Sequence, residues 1–213
     1  MKHPTGRSSL LVTVVHIILG FDGQDLKLLL VKHPDGPLKN RWCLPGDRLQ
    51  ASENFDQTAA RIQQTLTGRE KAHRQQLGAF GPSRRTAGER AASVVFFSLM
   101  HIRREKLFPL HSGRPQWHIF HELPTLPAEH RDMLQEALQH IRYQSYVPPL
   151  LFKLLPQKFT IPQLQHLYEA VHGQVFDKRN FSRKMLATGL LVKQADKEKL
   201  SSKRGAYYYT QRR

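Results

Sequence analysis

The sequence predicts an α+β chain, a mixed-sheet domain followed by a small, basic, largely helical one. Strand-like runs rich in β-branched and aromatic residues alternate with two helical stretches as far as Tyr146. Pro148-Pro149 then interrupts the chain, and beyond it the apolar period becomes helical. Charge shifts at the same point. Residues 148–213 hold 13 Lys+Arg against 4 Asp+Glu, a net +9 of the chain's total of +16. A length of 213 residues with 39% hydrophobic content accommodates one large core or a medium core and a small one. The boundary is placed between residues 147 and 148.

At the N-terminus, Met1-Lys2-His3 and Arg7 ahead of the apolar residues 10–19 imitate a secretory signal. His16 interrupts that run and no small-x-small cleavage site follows Gly20, so the segment reads as a first strand. Phe21-Asp22-Gly23-Gln24-Asp25 is then a hairpin turn into a second strand at residues 26–31. Phe55, Ala59, Ile62 and Leu66 recur at helical spacing and predict a helix over residues 55–66. Strands at residues 93–102 and 116–120 follow, then a second helix at residues 128–143. No apolar run approaches the roughly 20 residues that span a bilayer, so the chain is expected to be soluble, with no membrane partner. Cys43 is the only cysteine, which excludes an intrachain disulfide and leaves a cytoplasmic location as the expectation. The positive charge points to a polyanionic partner, nucleic acid before an acidic surface.

At Leu44-Pro45-Gly46-Asp47 a turn introduces the first helix. From Asp47, five residues lead to Glu53, seven more to Arg61, and Gly68 stands seven positions further on. This spacing resembles the Nudix box: Gly, five residues, Glu, seven residues, then Arg-Glu-apolar-x-Glu-Glu-x-Gly. The preceding Trp42-Cys43-Leu44-Pro45-Gly46 is similar to the lead-in of ADP-ribose-type Nudix enzymes. The resemblance implies an α/β/α Nudix-like domain over residues 1–147. It also implies that Glu53 and Arg61 form the family's supporting ion pair. Nudix hydrolysis needs a row of carboxylates to hold a hard divalent cation against a pyrophosphate. The positions that would carry them are Ile62, Thr65 and Leu66, so neither a metal site nor catalysis is expected. An active hydrolase using Glu53, Asp56 or Asp47 in another arrangement is the alternative.

Phe80-Gly81, then Arg85, Arg90 and Ser93-Val94, resembles a motif of regulators related to ADP-ribose hydrolases, whose arginines face phosphates. Arginine suits that role because its planar fork grips phosphate oxygens in pairs. Lys32 falls where the family commonly has Arg. The match is partial: Gly88 stands at a second arginine position and Thr86-Ala87 replaces an Asp-Pro pair. Lys32, Arg85 and Arg90 are the candidate ligand residues; solvated loop cations are the plainer reading.

In the basic tail, Thr160 can cap a helix with Pro162 in its first turn, and Leu164, Leu167, Tyr168 and Val171 form its inward face. His172-Gly173 ends it. Asp177 can cap the next helix, residues 178–187, with Phe181 and Met185 inward. Lys178, Arg179, Asn180, Ser182, Arg183 and Lys184 are then left as a cationic polar surface. A strand at residues 190–192, a charged loop at residues 196–204 and a strand at residues 206–209 read as a wing. Helix, turn, basic helix and wing in this order make a winged helix-turn-helix. The stretches from Leu164 to Ala170 and from Asp177 to Leu191 resemble the tail of Nudix-related transcriptional regulators of NAD metabolism, the NrtR-like repressors.

That resemblance implies a homodimer binding a palindromic double-stranded DNA operator, with ADP-ribose or a related NAD nucleotide as effector and no required cofactor. Arg179 and Asn180, in the first turn of the basic helix, would read base edges, while Lys184, Lys203 and Arg204 would contact phosphate. Two other classes stay open: an active Nudix pyrophosphatase with a nucleic-acid-binding tail, and a nonspecific RNA- or DNA-associated scaffold.

Overall fold

The structure, a computed structural model, describes residues 10–36, 38–69, 73–84, 90–102, 106–111, 113–145, 150–198 and 205–212, without the side chains of 82–84 and 90. The expected hairpin is present: β1 (Leu10–Phe21) turns into β2 (Leu26–Lys32), with Phe21 opposite Leu26. Asp22 holds the turn, its Oδ1 accepting from the backbone N–H of Gln24 at 2.9 Å and of Asp25 at 2.8 Å. Two short strands follow, β3 (Trp42–Cys43) and β4 (Gly46–Arg48), then α1 (Phe55–Thr67), β5 (His73–Arg84), β6 (Arg90–His101) and β7 (Arg114–Ile119). A single 3-10 turn leads to α2 (Ala128–Gln144). The C-terminal part comprises a 3-10 helix (Leu150–Leu154), β8 (Phe159–Thr160), α3 (Ile161–His172), α4 (Lys178–Ala187), β9 (Leu191–Glu198) and β10 (Ala206–Gln211).

The first sheet runs β3-β2-β1-β6-β5, with β4 paired to β1 and β7 to β2. β1 lies parallel to β6 along its whole length, from Leu10 opposite Arg90 to Phe21 opposite His101. Residues 13–21 of β1 are buried without interruption, because both faces of the sheet are covered. On one side Val14, Ile18, Leu29, Val94, Phe96 and Met100 meet Ala59, Ile62 and Leu66 of α1. On the other, Ile17, Leu19, Leu28, Leu30, Val95 and Phe97 meet Met133, Leu134, Ala137 and Ile141 of α2. This is the α/β/α layering expected from the sequence. Phe55 departs from the helix face assigned to it: it is 37% exposed, at the start of α1 and outside the apolar cluster beneath that helix.

The second core joins the first. Leu151, Phe152 and Leu154 are buried in the same cluster as Val95 and Phe97 on one side and Leu164, Leu167 and Phe181 on the other. β8, β10 and β9 make a three-stranded antiparallel sheet beside α3 and α4. The wing strand β9 runs on to Glu198, beyond the residue 192 expected, because its polar residues pair with β10, Lys197 opposite Tyr207 and Glu198 opposite Ala206. No helix among the described residues is long and apolar enough to cross a membrane.

Candidate ligand cleft and nucleic-acid interface

The turn before α1 is built for close approach. A Cβ at Gly46 would sit 3.2 Å from the Val14 carbonyl oxygen, so glycine lets the loop lie against β1. Asn54 then starts α1 with a capping box, its side chain accepting from the Gln57 N–H while the Gln57 side chain accepts from the Asn54 N–H. Gly68 ends the helix at φ 66°, in the left-handed region.

Between loop and helix the Arg61 guanidinium grips Glu53 with two bonds, Nε to Oε1 at 2.6 Å and Nη2 to Oε2 at 2.9 Å. Its Nη1 donates to Asp47 Oδ2 at 2.5 Å. Thr58 Oγ1 donates to Glu53 Oε2 at 2.9 Å, and His111 Nε2 donates to Asp47 Oδ1 at 3.1 Å. The bond from Arg61, with help from Thr58, holds the Glu53 carboxyl below its ordinary pKa. Partial burial works against ionisation of Asp47, but hydrogen bonds from Arg61, the Arg48 N–H and His111 outweigh it and keep that carboxyl low too. His111 itself stands at φ 52°, a left-handed conformation that costs energy in a non-glycine residue and here aims its ring at Asp47.

Asp47 and His111 also line a cleft of about 440 Å³. Thr13 and Val15 of β1, His33, Leu44, Arg48 and His130 complete most of its wall. His130, near the start of α2, accepts the Leu44 N–H on Nδ1 at 2.9 Å, which pins the loop to the helix. The cleft thus offers imidazoles, one guanidinium and the Asp47 carboxylate around an apolar floor, a lining suited to a polar small molecule.

Beneath α1 lies a buried polar row. His16 on β1 places Nδ1 2.9 Å from the Ala59 carbonyl and Nε2 2.7 Å from Ser98 Oγ. The carbonyl can only accept, so Nδ1 donates to it, and Ser98 Oγ, which lies against Nε2, donates onward to Gln63 Oε1 at 2.7 Å. Complete burial pushes the His16 pKa down to about 3.

In the C-terminal domain, α3 begins with a second capping box, Thr160 with Gln163, and ends at Gly173, φ 68°. The turn that follows is held from within α3. Glu169 accepts the Phe176 N–H at 2.9 Å, and Gln165 Nε2 donates to the Phe176 carbonyl at 2.8 Å. Asp177 caps α4 by accepting the Asn180 N–H at 2.8 Å. Phe181 packs edge-on against Tyr168 with ring centroids 5.4 Å apart, fixing the angle between the two helices. Lys178, Arg179, Asn180, Arg183 and Lys184 are exposed, Ser182 half-buried. Arg183 donates to Asn180 Oδ1 at 3.0 Å. Arg142 of α2 clasps the end of α3, its Nε donating to the Val171 carbonyl at 2.7 Å.

The NUDIX domain model matches residues 9–137, and the NrtR DNA-binding winged helix domain model matches residues 151–210. The chain belongs to the Nudix family. It carries that family's domain joined to an NrtR winged helix. Over 203 residues it is 28% identical to a protein described as the ADPR responsive transcriptional repressor NtrR of Acinetobacter baylyi, covering 93% of this chain and 81% of that one. Its fold matches that of Shewanella oneidensis NrtR complexed with a 27mer DNA, with a TM-score of 0.79, 23% identity and coverage of 94% and 93% of the two chains. A MutT/nudix family protein from Enterococcus faecalis has the same fold, with a TM-score of 0.75, 19% identity and coverage of 99% and 90%.

Within this Nudix domain, the residues present do not fit a divalent cation at the box. Ile62 and Leu66 are completely buried among apolar side chains, and Thr65 is exposed on the helix surface. An oxygen-coordinated ion needs carboxylates there, and the space is taken by hydrocarbon. Glu53 and Asp47 remain, but both are engaged by Arg61. Of the candidate ligand residues, Lys32 is exposed on β2 with its ammonium 5.7 Å from the Trp42 ring centroid, and it does not line the cleft. Arg85 lies outside the described residues; Arg90 opens β6 opposite Leu10, next to the cleft residue Leu11, and its side chain is not described. Lys203 and Arg204 of the wing also lie outside the described residues. No sequence signal marks His111 or His130, because an isolated histidine carries none until the fold brings it to a cleft.

Proposed function

We propose that this Nudix protein is a transcriptional repressor that binds a palindromic operator as a cytoplasmic homodimer and senses ADP-ribose or a related NAD nucleotide without hydrolysing it. Its targets are genes of NAD biosynthesis or salvage. The observation that carries the reading is α4: capped, anchored by one buried phenylalanine, and presenting five exposed polar or cationic residues on a helix-turn-helix. The Acinetobacter relative is described as ADPR responsive and as a repressor, and the Nudix domain of Shewanella NrtR has been seen with ADP ribose, which supports the effector class. The apolar burial of Ile62 and Leu66 supports sensing without turnover.

The test is a mobility-shift titration with DNA from upstream of the chain's own gene, with and without ADP-ribose, beside an assay for AMP formed from ADP-ribose with Mg²⁺. Duplex binding that ADP-ribose changes, with no product formed, is the expected result. Turnover that a chelator and Glu53→Gln both abolish would establish the pyrophosphatase instead. Operator binding that survives removal of residues 148–213 would remove the winged helix from its role.

A further inference from the structure

Behind α4 lies a second cavity, of about 320 Å³, separate from the cleft at the Nudix box. Its walls are Phe152, Tyr168, Phe176, Phe181, Met185 and Leu190. These walls are fixed: Phe176 and Phe181 pack 5.7 Å apart, and Tyr168 stacks on His172 at 6.0 Å with 12° between the rings. The polar groups are few. Asn180, Lys184 and Thr188 of α4 and its cap contribute to the lining, as does Asp177, whose Oδ1 is engaged in capping α4. At the far side Ser145 Oγ donates to the Arg142 carbonyl at 2.6 Å and lies 2.9 Å from His172 Nε2, so that pair satisfies itself.

An apolar, aromatic-walled cavity of this size with a few convergent polar groups has the composition of a small-molecule site. Lys184 carries the one ammonium of the lining, while the Asp177 carboxylate is held at the α4 N-terminus, so the head group beside Lys184 is an anion. We propose that this cavity is a second ligand site, for a small aromatic anion of one or two fused rings. The rings lie among Phe152, Phe181 and Met185, and the carboxylate or sulfonate meets Lys184. Because Asn180 and Lys184 belong to the face of α4 assigned above to DNA, an occupied cavity and bound DNA exclude each other. That last step rests on the DNA reading of α4; the site itself does not.

Anilinonaphthalene sulfonate, which fluoresces on entering an apolar site, serves as probe on the full chain, with naphthoate as competitor. Saturable binding at one probe per chain, displaced by naphthoate and not by ADP-ribose, is expected. Lys184→Gln should weaken naphthoate about tenfold, the loss of a charge-assisted contact, and leave the neutral naphthalenemethanol unchanged. Met185→Trp, which fills the cavity, should abolish probe binding while retaining a cooperative thermal melt. Duplex DNA should lower probe affinity by the factor by which the probe lowers DNA affinity. No saturable binding, or binding indifferent to both substitutions, overturns the site; for a misfolded Met185→Trp the Lys184→Gln comparison decides. DNA that binds without displacing the probe overturns the exclusion. A chain that binds no DNA at all fails the repressor reading, and the two substitutions still judge the cavity.

Discussion

α1 and α4 are the two helices whose sequences speak most directly of function, and the fold uses them in opposite ways. Both open on an acidic or amide cap that accepts an N–H at 2.8 Å, and both are amphipathic. α1 buries six residues, among them Ile62 and Leu66, two of the three positions where its family places metal-binding carboxylates. α4 buries Phe181 alone and leaves its charged residues in solvent. A helix that lies flat on a sheet takes its stability from the covered face, and there hydrocarbon has replaced the carboxylates of chemistry. A helix anchored by one aromatic ring leaves its other faces available for a partner. The same local architecture therefore serves packing in one domain and recognition in the other.

The sharpest way to break this contrast is to restore a carboxylate to α1. Ile62→Glu places an unpaired charge where exposure is 0%, and a loss of more than about 4 kcal/mol is expected, enough to remove the cooperative melt. A variant melting within a few degrees of the parent would show that α1 tolerates the carboxylate after all. Arg179→Ala on α4 should melt like the parent and instead cost about 1–3 kcal/mol of operator affinity with relaxed base preference. An unchanged preference would move Arg179 from base edges to phosphate.

A third outcome belongs to the buried side of α1. His16 is neutral in the fold, with its pKa pushed down to about 3, whereas the unfolded chain takes up that proton near its ordinary value of 6.5. Stability from this site is therefore full above pH 6.5 and falls as pH drops from there toward 3, by at most about 1.4 kcal/mol per pH unit. Denaturant midpoints from pH 7 to 4 should show this slope, and His16→Gln should flatten it; equal slopes in both proteins would assign it elsewhere. The smallest effect concerns phosphate contacts. Alanine at Lys184, Lys203 or Arg204 should weaken all DNA sequences alike and lower the salt slope by roughly one per lost phosphate contact. Sequence-dependent losses at any of the three would make that residue a base reader.

Much of both helices was legible because their information is local. α4 occupies residues Lys178–Ala187, the span that Asp177 and the apolar spacing implied, since a cap and a 3.6-residue period are properties of adjacent residues. β5 was not legible. His-Arg-Gln-Gln-Leu-Gly-Ala-Phe-Gly-Pro-Ser-Arg holds no β-branched residue, and it is a strand because β6 offers it an edge, with irregular register at Gln76/Gly78 and Phe80/Ser83. Phe55 fitted the helical period and lies exposed for the converse reason: the period continues past the apolar cluster that the helix covers.

Sequence by itself determined the Thr160 and Asp177 caps, the Glu53 and Arg61 pair and the charged face of α4, each fixed by residues within about two helical turns of one another. Tertiary structure alone decided that Asp47 meets His111, that His16 meets Ser98, and that Leu151 and Phe152 join the two domains in one apolar cluster. Those partners stand far apart in the chain, His16 and Ser98 by 82 residues. His16 and Ser98 come together because β1 and β6 pair in parallel, a choice set by the burial of both faces of the sheet at once rather than by any short stretch of sequence.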